Sequence, residues 1–141
     1  LSDIQAAVGL AQVQKLGSLL GERRRLALHY SELLAGMSEL ILPADDLGHT
    51  YQSYVVRLAD GNGARRNAMM EYLAAQDIQT RPGTHAVVRL GHYARLDPQA
   101  ALRFPRALCA EDTTITLPIF PDMSAEQQDF VVASLKTALA A

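Results

Sequence analysis

The chain has 141 residues, 49% hydrophobic and 20% charged, with a formal net charge of −2. This length and balance suit one folded domain with a real core and exclude a disordered chain. The charge lacks the basic face of a nucleic-acid binder, and no apolar run approaches the roughly 18–20 residues of a membrane span.

The first residue is Leu1 rather than Met, and no basic-then-apolar secretory start follows it, so the sequence reads as a trimmed piece of something longer. Ser2-Asp3-Ile4-Gln5 fits a capping box, with a hydroxyl at the cap and an amide three residues on. Apolar residues then recur at helical spacing from Ile4 and Val8 through Leu26, Tyr30 and Leu34 to Met37. Gly17 and Gly21 weaken a helix, so the pattern predicts one bent helix or two in tandem, stopping at Gly36. Residues 51–58, YQSYVVRL, are rich in strand formers. Asp60-Gly61-Asn62-Gly63 is a turn that also caps a helix over 64–75, with Met69, Met70, Leu73 and Ala74 facing inward. A second short strand is expected at 78–80 and a third at 114–117, closed by Pro118. Between them Pro105 starts a helix where its missing N–H costs nothing. Ser124 and Gln127 form a second capping box, opening a C-terminal helix to about residue 140. The expected fold class is α/β of an α+β-like kind: a small antiparallel or mixed sheet of three to four strands, with helices packed on one side.

Most candidate motifs have a plain structural reading. Arg23, Arg24 and Arg25 fan across about 200° of a helix, so they form no single patch and read as a solvated face. The glycines at 61 and 63 match neither dinucleotide nor phosphate-loop spacing. His49, His85 and His92 lack any recognised metal-ligand spacing, and GxSxG is absent. The lone Cys109 cannot make an internal disulfide, and a reducing, cytoplasmic setting is expected. Schiff-base chemistry needs a lysine, and the only two, Lys15 and Lys136, lie in amphipathic helices away from any polar cluster. The segment from Asp77 to Tyr93, DIQTRPGTHAVVRLGHY, stands apart. Pro82-Gly83 predicts a tight turn, and Arg81, Thr84, His85, Arg89, His92 and Tyr93 offer donors for hydroxyls, carboxylates or phosphates. Composition leaves two readings of it open, a binding loop and a solvated connection.

Five stretches in order, SDIQAAVGLAQVQKL, ERRRLALHYSELL, HTYQSYVVRL, DIQTRPGTHAV and FPRALCAEDTTITLPIFPDMSAEQQ, resemble the C-terminal segment of the DegT/DnrJ/EryC1/StrS aminotransferases. The resemblance covers almost the whole chain. It implies the C-terminal domain of a fold-type I enzyme that uses pyridoxal 5′-phosphate and passes an amino group from glutamate to a nucleotide-linked keto-sugar. Residues 1–36 would be a helical segment leading to a large domain, and 37–141 the small domain. The Schiff-base lysine would lie in the large domain, so this chain alone would neither bind the cofactor nor transaminate. The active site would sit between domains at a homodimer interface, with no nucleic acid or membrane as partner. His85 matches the histidine of a GxHYP-like family segment, although Arg81-Pro82-Gly83 is inserted here and Ala86 stands where Tyr is usual. Arg81 and Thr84 would accompany His85 in binding substrate, and Tyr51 and Gln52 match the start of a strand near it. The rival expectation is a stand-alone, non-catalytic binding or oligomerisation domain using the same loop.

Overall fold

The computed structural model describes residues 2–46 and 48–140. Helix α1, Asp3–Gln14, begins at the expected capping box: the Gln5 N–H donates to Ser2 Oγ at 3.3 Å, and the Ser2 N–H donates to Gln5 Oε1 at 3.0 Å. A separate helix α2 runs over Leu16–Leu33. The break falls at Lys15, whose N–H bonds back to the Gln12 carbonyl three residues earlier, and not at Gly17 or Gly21, which are helical. Gly36 adopts the left-handed conformation (φ +79°) just beyond the helix end, the backbone region glycine enters without steric cost.

The sheet has four strands in the order β1-β2-β4-β3, every pairing antiparallel. These are β1 (Leu40–Ile41), β2 (Tyr54–Leu58), β3 (Arg81–Pro82) and β4 (Thr114–Leu117). The expected strand at 114–117 is present. That at 51–58 begins three residues later, and that at 78–80 is replaced by Arg81–Pro82, because Ile78 turns into the core instead of pairing. Along β2, Tyr54, Val56 and Leu58 are buried, while Val55 and Arg57 between them are partly covered, the alternation of a sheet with one core face. Helix α3, Gly63–Ala75, is capped by Asn62, whose side chain accepts the Arg65 N–H. It buries Met69 and Leu73, whereas Ala74, expected inside, is exposed because the buried stripe turns past it. Helix α7, Ala125–Ala140, follows the Ser124–Gln127 capping box.

One apolar cluster unites the sheet face with Leu26, Ala27, Tyr30 and Leu34 of the α2 region, Met69 and Leu73 of α3, and Val131, Val132 and Leu135 of α7. Helix α2 is thus part of the core. Helix α1 buries no residue, and Ile4 and Val8 are 79% and 58% exposed. Several polar groups inside this cluster find partners, although Gln128 Oε1 is buried without one among the described residues. The Tyr30 hydroxyl donates to the Pro118 carbonyl at 2.8 Å, the Tyr54 hydroxyl lies 2.9 Å from Ser31 Oγ, and Gln128 Nε2 donates to the Leu26 carbonyl at 2.9 Å.

Between β3 and β4 the chain leaves the sheet. It forms a 3-10 turn at Val87–Arg89 and two short helices, α4 (Gly91–Leu96) and α5 (Ala100–Arg103), before α6 (Pro105–Thr113) returns to β4. None of the three elements before α6 was expected from the sequence. Pro82 lies in a strand and Gly83 in a bend without a left-handed backbone, so the expected tight turn is absent. Gly83 serves a close approach instead. A Cβ there would sit 2.4 Å from Val55 Cγ1 and 2.8 Å from Thr114 Cβ. Its N–H meanwhile donates to Thr114 Oγ1 at 3.1 Å. The excursion is fastened by Arg89, whose Nη2 bonds Asp112 Oδ2 at 2.8 Å and whose Nη1 bonds Glu111 Oε2 at 2.9 Å. Arg89 holds the Asp112 carboxyl below its ordinary range through that hydrogen bond, which outweighs the opposing effect of partial burial.

Two outcomes follow from this packing. Gly83→Ala is expected to cost about 1–3 kcal/mol in urea unfolding, the range for an overpacked site, because Thr114 Cβ is anchored to the backbone and cannot yield. Asp112 titrates below its unfolded value, so its share of stability is complete above about pH 4 and is lost as pH falls through the depressed pKa. Amide protection over residues 87–103, corrected for intrinsic rates, should therefore drop in acid. Arg89→Ala should bring about that loss at neutral pH, by no more than about fivefold, as suits a half-exposed ion pair worth about 1 kcal/mol or less.

Candidate functional site

An open cleft of about 370 Å³ lies where β2 begins and β4 ends, lined by Gln52, Ser53, Gln79, Thr80, Arg81, Thr116, Leu117, Pro118 and Ile119. The sheet order explains its membership. Strand β4 lies between β2 and β3, and Arg81 stands opposite Thr116 in the ladder. Arg81 Nη2 donates to Ser53 Oγ at 3.1 Å, and the same hydroxyl donates to Gln52 Oε1 at 2.9 Å. A chain of polar groups therefore runs from the guanidinium to the amide. Arg81 is exposed, and its other donors meet no protein acceptor among the described residues. The lining holds one cation, several neutral donors and acceptors, and no carboxylate, a combination suited to an anionic oxygen group.

The structure thus unites Arg81 with Gln52 and separates the other candidates from them. Thr84 is exposed and outside the cleft. His85 is also exposed, and its Nδ1 lies 3.4 Å from Glu111 Oε1, in the same acidic group that holds Arg89. Only three residues separate Arg81 from His85, but Gly83 seats the chain on Thr114 between them, and His85 emerges beside α6. Tyr51 is only 3% exposed. Its hydroxyl donates to Asp45 Oδ1 at 3.3 Å, and it borders a separate recess of about 160 Å³ with Arg24, Leu28, Asp45 and Asp46. Burial, and then the Asp45 carboxylate, push its phenol above the ordinary tyrosine range.

Sequence reading missed Ser53, Thr80 and Thr116 as lining residues. Ser53 lay within a quoted motif and could have been found there. Thr116 becomes visible only through the β3–β4 register. The arginine run also needs correction as a solvated face. Arg23 Nη1 donates to the carbonyls of Tyr51 and Gln52, each at 3.2 Å, and Arg24 Nε donates to the His49 carbonyl at 3.4 Å. A helix that packs beside a loop offers its arginines unpaired carbonyls, which periodicity alone does not reveal.

A second recess of about 580 Å³ adjoins the cleft through Gln79, Pro118 and Ile119 and is more apolar, with Ile78, Phe120, Met123 and Phe130 in its walls. Lys15 and Lys136 are exposed and line neither opening. The described residues therefore do not fit a Schiff base to pyridoxal phosphate, which requires an amine held in a pocket. Among them no group of three or more His, Cys, Asp or Glu is placed to hold a metal ion, and no helix is long and apolar enough to cross a membrane.

Comparison with known proteins gives this geometry a context. Spr1654 of Streptococcus pneumoniae, named a sugar aminotransferase and solved in its PMP form, superposes with a TM-score of 0.90 at 26% identity, over 98% of this chain and 35% of its own. DesV of S. venezuelae superposes with a TM-score of 0.81 at 29% identity, over 98% of this chain and 37% of its own. Helicobacter pylori PseC, an aminotransferase of pseudoaminic acid biosynthesis, shares the fold with a TM-score of 0.89 at 20% identity, over 99% of this chain and 38% of its own. The chain thus spans little more than a third of the length of these proteins. The sequence profile of the DegT/DnrJ/EryC1/StrS aminotransferase family matches residues 1–136, and the chain belongs to that family.

Proposed function

We propose that this chain is the small C-terminal domain of a pyridoxal-phosphate-dependent sugar aminotransferase, which as a whole enzyme passes an amino group from glutamate to a keto-sugar carried on a nucleotide. The observation that carries this reading is one of coverage. Nearly the whole chain superposes on about a third of Spr1654, while neither lysine of the chain lines the cleft. The reactive amine then belongs to the rest of the enzyme. When bound there, the cofactor supplies the electron sink that amino transfer needs.

Within this reading the described residues bind and orient. Arg81 pairs its free donors with a carboxylate or phosphate oxygen of the substrate. Gln52 and Ser53, already in line with Arg81, bond neighbouring hydroxyls. Thr84 and His85 approach the substrate from outside the cleft, at the head of the excursion that Arg89 fastens. Tyr51 shapes the wall behind Gln52. Residues 1–36 connect to the large domain and 37–141 form the small one. The exposed Ile4 and Val8 stripe of α1 packs on that large domain or on a homodimer partner, since bare apolar patches mark contact surfaces. A cytoplasmic setting suits the lone, exposed Cys109.

The test uses the full-length enzyme with glutamate and nucleotide-linked keto-sugars. Arg81→Ala is expected to raise KM for one substrate about tenfold, which is 1.4 kcal/mol, and His85→Ala by a smaller factor. Values for both substrates within twofold of wild type in both variants would remove the loop from the site. The 141-residue chain alone should stay colourless with pyridoxal phosphate. If it turned yellow through Lys15 or Lys136 and converted a keto-sugar unaided, the reading would fail.

A further inference from the structure

The cleft has no helix in its lining, yet its walls are fastened from α2. Three consecutive residues of that helix each reach a different backbone group. Glu22 Oε1 accepts the Asp122 N–H at 2.8 Å. Arg23 Nη1 bridges the carbonyls of Tyr51 and Gln52, and Arg24 Nε reaches the carbonyl of His49. These bonds fall on the segments flanking the cleft, 49–53 on one side and 118–123 on the other. Each segment carries a non-glycine residue in the left-handed region, Tyr51 at φ +47° and Asp122 at φ +61°. Side-chain-bearing residues hold that conformation only where their surroundings over-determine it. Tyr51 and Asp122 are the residues whose backbone groups Arg23 and Glu22 bind. At Tyr51 the fixation is threefold: Arg23 on its carbonyl, His49 Nδ1 accepting its N–H at 2.9 Å, and Asp45 on its hydroxyl. The left-handed step at Tyr51 immediately precedes Gln52 and Ser53, the two groups aligned with Arg81.

We propose that Arg23, supported by Glu22, is a positioning residue for the Arg81 cleft: from α2 it locks the strained backbone at Tyr51, so that Gln52 and Ser53 meet Arg81 in the arrangement that receives the anionic group of the substrate. The inference rests on the reading of that cleft as a substrate site. It gives the arginine run a role that neither composition nor helical spacing assigns. Arg25, the third member, is exposed and reaches no cleft wall.

The experiment is a double-mutant cycle in the full-length enzyme, with steady-state kinetics on glutamate and a nucleotide-linked keto-sugar. Arg23→Gln is expected to raise KM three- to tenfold, for the same substrate that Arg81→Ala affects, with kcat within twofold. Arg23→Lys, which keeps the charge and a donating nitrogen, should recover part of the loss, and Arg25→Gln should match wild type. In an Arg81→Ala background, Arg23→Gln should add less than twofold, because the group it positions is gone. A merely structural Arg23 would instead lower thermal stability and add its effect in full on top of Arg81→Ala. An impaired Arg81→Ala beside an unimpaired or fully additive Arg23→Gln would overturn the positioning role and leave the cleft as the site. An unimpaired Arg81→Ala would overturn both. If Arg23→Gln fails to fold, the same cycle run with Arg23→Lys decides.

Discussion

The hydrogen bond from the Tyr30 hydroxyl to the Pro118 carbonyl is the constraint on which the arrangement of the cleft depends. The phenol is fully buried, its ring 5.1 Å from that of Tyr54, and a buried hydroxyl without a partner would cost a few kcal/mol. Burial, followed by the neighbouring Tyr54, drives its pKa well above the ordinary tyrosine range, so it is a protonated donor at neutral pH. Its acceptor is the residue directly after β4, where the chain leaves the sheet and enters the wall of the cleft. One bond therefore fixes α2 to that wall from inside the core, and Arg23, two turns earlier on the same helix, fixes the opposite wall from the surface. The helix acts as a strut between them.

The legible parts of the fold were those set by local chemistry. Both capping boxes announce a helix by a hydroxyl and an amide three residues apart, and both form as written. Strand β4 could be read from alternating threonine and aliphatic residues closed by a proline. The parts that escaped depend on neighbours remote in sequence. Strand β1 is two residues long and has no periodicity of its own; it exists because Leu40 and Ile41 find Leu58 and Arg57. Strand β3 contains Pro82, which argues against a strand in isolation. It is tolerated because β3 is the edge of the sheet, where a missing donor costs little. The short helices α4 and α5 bury little beyond Ala100, so no apolar stripe marks them.

The candidate residues were legible as polar chemistry, but their spacing in sequence misled about which of them meet. Arg81 and His85 look like one cluster because only three residues separate them, yet they answer to different neighbours, Ser53 for one and Glu111 for the other. Gln52 and Arg81, far apart in the sequence, meet because β2 and β3 both flank β4. Gly83 is the pivot between the two outcomes. Its residue type was visible, but the reason for it was a close approach to Val55 and Thr114 and not a turn, and that contact exists only once the strands are paired.

The two regions that bear candidate residues are held by forces of different kind. The cleft is braced by the Tyr30–Pro118 hydrogen bond and by strands that share the apolar core, which places its walls toward the stable end of the local range. The excursion between β3 and β4 lies outside that core. It leaves Val87, Leu90, Tyr93, Leu96, Leu102 and Phe104 exposed, and relies on the half-exposed Arg89 fork and an Arg103–Asp97 pair. Pairs of that exposure contribute about 0–1 kcal/mol each, so this excursion occupies the low end of the local stability range. The division follows from sequence: tyrosines and aliphatics at helical and strand spacing build the rigid region, and surface charges beside short helices, none with a buried stripe, hold the yielding one.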